Sequence, residues 1–271
     1  MSLMASILVH VDALPRSRMR LELARTLARR LDATVQALYA VTPAVLEVTL
    51  PFPDAGAFMP DMLEVDCQRR DMARALVEAV QSDEVHVRWA ELSPLRALYP
   101  GFVRESFHHD LVVLGQYDGS DPAGAGVPPD FVPSVVVDSG KPVLVVPWAG
   151  NFGDVGHRVL IAWKPTREAA RALSAVLPLL QPGAAVHVSS WDGDPEEIRP
   201  LLLRHGVDVT CSREAAAEGQ VGEDLLSRTA DLNADLLVMG CYGHTRAREL
   251  LLGGATRTVL ASMTLPVLMA H

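Results

Sequence analysis

Cysteine is scarce. Cys67, Cys211 and Cys241 are odd in number, far apart and without a Cys-x-x-Cys pair. That excludes a disulfide framework, a zinc site of the usual ligand spacing and a thiol-exchange motif. Positive charge is short as well: 24 Lys and Arg stand against 33 Asp and Glu, a formal charge of -9. Counterion release on a nucleic acid needs clustered Lys and Arg, so no nucleic-acid partner is expected. The Arg29-Arg30 and Arg69-Arg70 pairs fall within helical patterns, where a solvated polar face accounts for them. No apolar run reaches the length of about 18 residues that a membrane helix requires. The N-terminus shows no charged segment leading into an apolar stretch and a cleavage site. A cytoplasmic protein with no membrane partner is therefore expected.

Catalytic signatures are also missing. There is no Gly-x-Ser-x-Gly elbow, no His-Glu-x-x-His and no Gly-Lys-Ser or Gly-Lys-Thr, and Gly140-Lys141 runs into Pro142. No catalytic residue is assigned. The adjacent His108 and His109 project in different directions on a helix and lack a second ligand cluster, so no metal is assigned either.

What is present is a repeat. Ile7-Leu8-Val9-His10-Val11-Asp12 answers to Val159-Leu160-Ile161-Ala162-Trp163-Lys164, Leu111 to Gly115 answers to Leu236 to Gly240, and Pro142 to Val146 answers to Pro266 to Ala270. Three matches in one order point to two copies of one unit. Within each copy short Val/Ile/Leu runs alternate with helical patterns, the mark of a parallel sheet covered on both faces. In the second copy strands are expected near 158–163, 184–189, 207–211, 236–240 and 266–270. The expected fold is α/β, two similar doubly wound domains over 1–149 and 156–271, joined by the glycine-bearing stretch Pro147 to Gly156. The first copy is longer ahead of its fourth strand. Pro43, Pro51, Pro53, Gly56 and Pro60 place the excess over 42–60, as a surface loop or lid or, alternatively, a disordered stretch.

The most informative stretch is Leu236-Leu237-Val238-Met239-Gly240-Cys241-Tyr242-Gly243, followed nine residues later by Gly253-Gly254-Ala255-Thr256. A strand ending in glycine turns sharply, and further glycines let an anion approach main-chain N–H groups at a helix start. The same glycines also suit a tight strand-to-helix turn with no ligand. His244, Arg246, Arg248 and Arg257 bring donors and positive charge nearby, or form a solvated face.

The tandem α/β layout, the Gly240-x2-Gly243-x9-Gly253 spacing and the closing Pro266-Val267-Leu268-Met269 resemble the universal stress protein family in its two-domain form. The resemblance implies an adenine nucleotide alpha hydrolase-like fold with five parallel strands per domain and domains paired through their last strands. It implies, too, an adenine nucleotide held without a conventional catalytic site: ATP, with magnesium. Carried onto this chain, the site comprises Lys164, Met239, Gly240, Gly243, His244, Gly253, Gly254, Ala255 and Thr256. Backbone N–H groups of the Gly240–Gly243 turn and of Gly253–Ala255 would meet the phosphates. Gly254 stands where the family has Ser or Thr, leaving Thr256 to supply a hydroxyl. Lys164 stands where the family has an acid that faces the nucleoside, and its ammonium suits a phosphate instead. The first copy keeps the acid, Asp12, but its loop is Gly115-Gln116-Tyr117-Asp118 with Pro128-Pro129 at the helix entry, so no nucleotide is expected there. The function implied is a stress-response protein that acts through conformation or contacts with an unidentified protein partner, as a homodimer. A ligand-free interaction scaffold and a weak ATP hydrolase are the alternatives.

Overall fold

The computed structural model describes residues 4–47, 55–93, 98–118, 126–215, 217, 219–241 and 254–271. The chain packs as two compact units, Met4–Val135 and Val136–His271.

In the first unit the described strands are β1 (Ser6–Val11), β2 (Thr34–Tyr39), β3 (Val87–Glu91) and β4 (Leu111–Gly115), in the order β3-β2-β1-β4 and parallel wherever paired. The inner strands are buried on both faces: Ile7, Leu8, Val9, Val11 and Leu111 to Leu114 are all closed to solvent. That is why they read as continuous apolar runs rather than alternating ones. Helix α1 (Ser17–Leu31) turns Leu21, Ala24, Leu27, Ala28 and Leu31 inward at helical spacing. It ends at Asp32, whose φ of 53° is a left-handed cap that Asp tolerates and whose N–H returns to the Ala28 carbonyl. The remaining helices are α2 (Ala44–Glu47), α3 (Ala55–Ala79), α4 (Leu98–Ser106) and α5 (Phe131–Asp138), the last crossing the boundary between the units.

The loop expected over 42–60 is corrected in part. Residues 48–54 lie outside the described set, but α2 occupies 44–47 and α3 has begun by 55, with Pro60 inside it. Pro60 lies in the second turn, where its missing N–H removes a single intrahelical bond and the remaining turns carry the helix.

In the second unit the strands are β5 (Val143–Val146), β6 (Arg158–Ala162), β7 (Ala185–Ser190), β8 (Val209–Arg213), β9 (Leu236–Gly240) and β10 (Val267–Ala270), ordered β5-β10-β9-β6-β7-β8. Helices α6 (Arg167–Val176), α7 (Arg199–Arg204), α8 (Val221–Asp231) and α9 (Gly254–Ser262) connect them. The order β8-β7-β6-β9 repeats β3-β2-β1-β4 of the first unit. β5 joins β10 antiparallel, with Val145 opposite Val267 and Val143 opposite Met269. Both strands lie in the second compact unit, which begins at Val136.

A second sign of the repeat escaped sequence reading. Asp110, just before β4, accepts from the N–H groups of Ala5 and Ser6 at 2.9 and 3.0 Å. Asp235, just before β9, accepts from those of Gly156, His157 and Arg158 at 2.6, 3.0 and 2.9 Å. Each aspartate ties the entry of one inner strand to that of its neighbour, satisfying donors the ladder leaves over.

Candidate functional site

Between β6 and β9 the chain reverses direction across the sheet, β7 lying on one side of β6 and β9 on the other. At such a switch point the carboxyl ends of the strands leave a crevice. Here it is a cavity of about 360 Å³, within the range of small-molecule sites. Its walls come from the ends of β6 and β9, the loop after β7, and the first turns of α6 and α9.

Six residues of the expected site line this one cavity: Lys164, Met239, Gly240, Gly254, Ala255 and Thr256. Gly243, His244 and Gly253 lie outside the described residues. Thr256 is buried and Arg257 is exposed, the latter in keeping with a solvated helical face.

Two contacts of the glycine turn bear on the expected site. A Cβ on Gly240 would lie 2.4 Å from the Ala169 nitrogen and 2.7 Å from the Glu168 carbonyl carbon. Glycine at 240 is thus required by the backbone of α6 packing onto the strand end, whatever else approaches it. The N–H of Cys241 is already bonded to the Ala270 carbonyl at 3.0 Å, so this amide of the turn is engaged in extending the β9–β10 ladder. Gly254 is different, because a Cβ there would meet nothing within 4 Å.

Helix α6 enters the site through Thr166, whose side-chain oxygen accepts from the Ala169 N–H at 3.3 Å as an N-cap. The next turn buries Glu168 in the cavity wall, 2 % exposed and paired with Arg167. Burial pushes the Glu168 carboxyl up, but the hydrogen bonds from Arg167 and from its own backbone N–H outweigh that and hold it below the usual carboxylate range. Cys241 is buried, its Sγ 3.2 Å from the Ala270 carbonyl oxygen. Desolvation, with the Glu168 carboxylate nearby, drives its thiol far above the ordinary range, which makes it a packed residue rather than a redox-sensitive one.

Lys164 does not present a free ammonium. Its Nζ lies 2.8 Å from Asp192 Oδ2, an ion pair across the mouth with both partners solvent-accessible. The acidic run after β7 divides in role: Asp192 takes this pair, while Asp194 accepts from the Glu196 N–H at 3.2 Å and caps the 3₁₀ turn Pro195–Ile198. Trp163 and Trp191 also line the cavity, directly before Lys164 and Asp192. Sequence reading missed both; the available signal was the pair of Trp-Lys and Trp-Asp doublets closing consecutive strands.

The corresponding place in the first unit is filled. Arg20 Nη2 donates to Asp12 Oδ2 at 2.9 Å, both side chains 4 % exposed, and it also meets Ser17 Oγ. Ser17 Oγ in turn donates to Asp12 Oδ1 at 2.7 Å. The guanidinium covers Gly115 so closely that a Cβ there would lie 1.9 Å from Nη1. What is left is a cavity of about 20 Å³, roughly the room of one water. Asp118 is held by Arg16 at 2.9 Å. His109, one of the histidine pair, has its Nδ1 3.1 Å from the Glu105 carbonyl oxygen. Among the described residues no cluster of His, Cys, Asp and Glu is arranged for a metal, and no helix is long and apolar enough to cross a membrane.

A doubly wound α/β unit with an open crevice at its switch point defines the class of the second half. The model of the Universal stress protein family matches residues 164–271, the span that carries this unit. Universal stress protein Slr1230 of Synechocystis sp. is 29% identical over 170 residues, covering 59% of this chain. The chain spans 57% of the length of that relative. Among solved structures, a universal stress protein from Archaeoglobus fulgidus superposes with a TM-score of 0.71 at 16% identity, covering 98% of this chain and 95% of its own. A putative universal stress protein from Pseudomonas aeruginosa gives 0.56 at 16% identity, covering 99% and 93%. These two likenesses are of fold.

Proposed function

We propose that this is a tandem universal stress protein that binds an adenine nucleotide, ATP, in the cavity of its second unit. It acts in the cytoplasm through conformation or contacts with a protein partner, as a homodimer. One observation carries the reading: the two units share a strand order, yet the switch-point crevice is filled by Arg20 in one and open to about 360 Å³ in the other. In the open one the start of α9, with Gly254, Ala255 and Thr256, and the end of β9 at Met239 and Gly240 would hold the nucleotide, together with Gly243, His244 and Gly253. Thr256 offers a hydroxyl, and Lys164 offers charge once released from Asp192. Magnesium would enter with the phosphates, since the described residues supply no acidic cluster of their own for it.

Equilibrium binding of labelled ATP to the wild type and to Gly254→Asp tests this. The substituted side chain enters open space, so folding should persist while affinity falls at least tenfold through like-charge repulsion at the phosphates. Equal affinity in the two proteins would count against the site.

The Lys164–Asp192 pair and the missing hydroxyl at Gly254 favour a second reading, a ligand-free interaction scaffold. Thermal unfolding with ATP, ADP or AMP separates the two, because a ligand bound only to the native state raises apparent stability. No shift with any of the three supports the scaffold.

A further inference from the structure

Among the described residues, three buried polar side-chain atoms around the cavity have no hydrogen-bond partner: Nε1 of Trp163, Oγ of Ser190 and Nε1 of Trp191. Buried donors are nearly always paired, and leaving one unpaired costs about 1–3 kcal/mol. Part of the backbone around them is engaged: the Trp163 N–H goes to the Ser189 carbonyl at 2.8 Å, the Thr166 N–H to the Lys164 carbonyl at 2.7 Å, and the Glu214 N–H to the Ser190 carbonyl at 2.8 Å. Two of the three unmet side-chain atoms belong to residues that line the cavity.

The two tryptophans are also held in relation to each other. Each immediately precedes one member of the Lys164–Asp192 ion pair, so the loops after β6 and β7 are cross-linked one residue beyond the indoles. Trp163 is only 9 % exposed, so its ring is fixed by packing, while Trp191 remains half-buried. An indole nitrogen can donate but not accept, and the ammonium of Lys164 shares that limit. The two indole N–H groups can only donate, so a partner that satisfies them must offer acceptors.

We infer that Trp163 and Trp191 are ligand-contacting, specificity-determining residues of this cavity, their indole N–H groups donating to acceptor atoms of the bound molecule. The inference rests on the nucleotide reading and deepens it. A nucleotide offers acceptors in two places, ring nitrogens and ribose oxygens on the nucleoside, or oxygens on the phosphates. The shared chemistry is an acceptor-bearing ligand seated between two donor-bearing aromatic rings, whose faces add stacking area.

The test is calorimetric titration of ATP and of adenosine into the wild type, Trp163→Phe and Trp191→Phe, with the thermal midpoint of each unliganded protein measured alongside. Phe keeps an aromatic face and removes the donor. Each substitution is expected to weaken ATP binding about tenfold, the usual size of one lost hydrogen bond to ligand. Equal losses for ATP and adenosine assign the acceptors to the nucleoside; a loss for ATP alone assigns them to the phosphates. Because Phe at the buried position 163 can disturb packing, a Trp89→Phe, Trp148→Phe protein provides a second readout. It retains only the two cavity tryptophans as emitters, and saturating ATP is expected to shift or quench their fluorescence. ATP binding that is unaltered in both single variants, with no change in that emission, overturns the inference and leaves the nucleotide reading intact. Absence of ATP binding by the wild type overturns both.

Discussion

At the scale of single residues, the decisive side chain is Arg20. It neutralises Asp12 inside the first unit, both groups nearly closed to water. Removing one partner of a buried pair strands the other, at a cost of about 3–5 kcal/mol. Arg20→Ala should lower the chemical-denaturation midpoint accordingly, and adding Asp12→Asn should recover much of the loss. Asp12 itself was legible as the acid at a strand end. Its occupation by Arg20 was not, because an arginine in an amphipathic helix reads as a snorkelling surface residue until packing shows otherwise.

His10 lies in the same core, its Nε2 2.7 Å from the Ala40 carbonyl oxygen and its ring against Phe102 and Phe131. Burial first, then the charge of Arg20, bring its pKa from 6.5 down to about 4, against smaller opposing effects of Asp12 and the Ala40 carbonyl. The unfolded chain therefore takes up a proton in a range where the folded one does not. This contribution is complete above 6.5 and is lost as pH falls from 6.5 to about 4, in all roughly 3 kcal/mol. Denaturation at a series of pH values should show that slope, and His10→Gln, which keeps a donor toward Ala40, should flatten it. Asp12 extends the decline at lower pH. Burial raises its carboxyl, but the charges of Arg20 and His10 and the hydrogen bonds from Arg20 and Ser17 carry it from 3.8 to about 2. Its contribution is lost below 3.8.

At the scale of elements, the aspartates before β4 and β9 act as clasps between strand entries. Asp235 accepts from three successive N–H groups, so Asp235→Ala should cost about 1–2 kcal/mol, chiefly by leaving the part-buried Gly156 N–H unpaired. Asp235→Asn should lose less, and urea titration would rank the three proteins. The inner strands were legible because their Val/Ile/Leu runs are unbroken, and β9 falls at 236–240 as the pattern indicated. The start of helix α3 was not, since Gly56 and Pro60 are strong local breakers and helical propensity is a weak prior that tertiary context overrides. Gly240 was legible as special, but for an incomplete reason: sequence cannot show that the first turn of α6 lies against it.

At the scale of the whole molecule, the repeat showed the same succession of strands twice along the chain, and the decay of one glycine loop pointed to the half in which a crevice stays open. Hydrogen exchange should make that asymmetry visible. With saturating ATP, protection should rise around 162–169, 190–192, 239–241 and 254–256 and stay unchanged around 10–20 and 115–118; gains in the latter segments would contradict the assignment. The pairing of β5 with β10 was not legible in the composition of the glycine-bearing stretch, because it depends on a partner strand more than a hundred residues away.

The guanidinium lodged against Gly115 has a consequence for stoichiometry. On the proposed nucleotide reading, a titration should therefore saturate at one equivalent per chain rather than two, the duplicated fold notwithstanding.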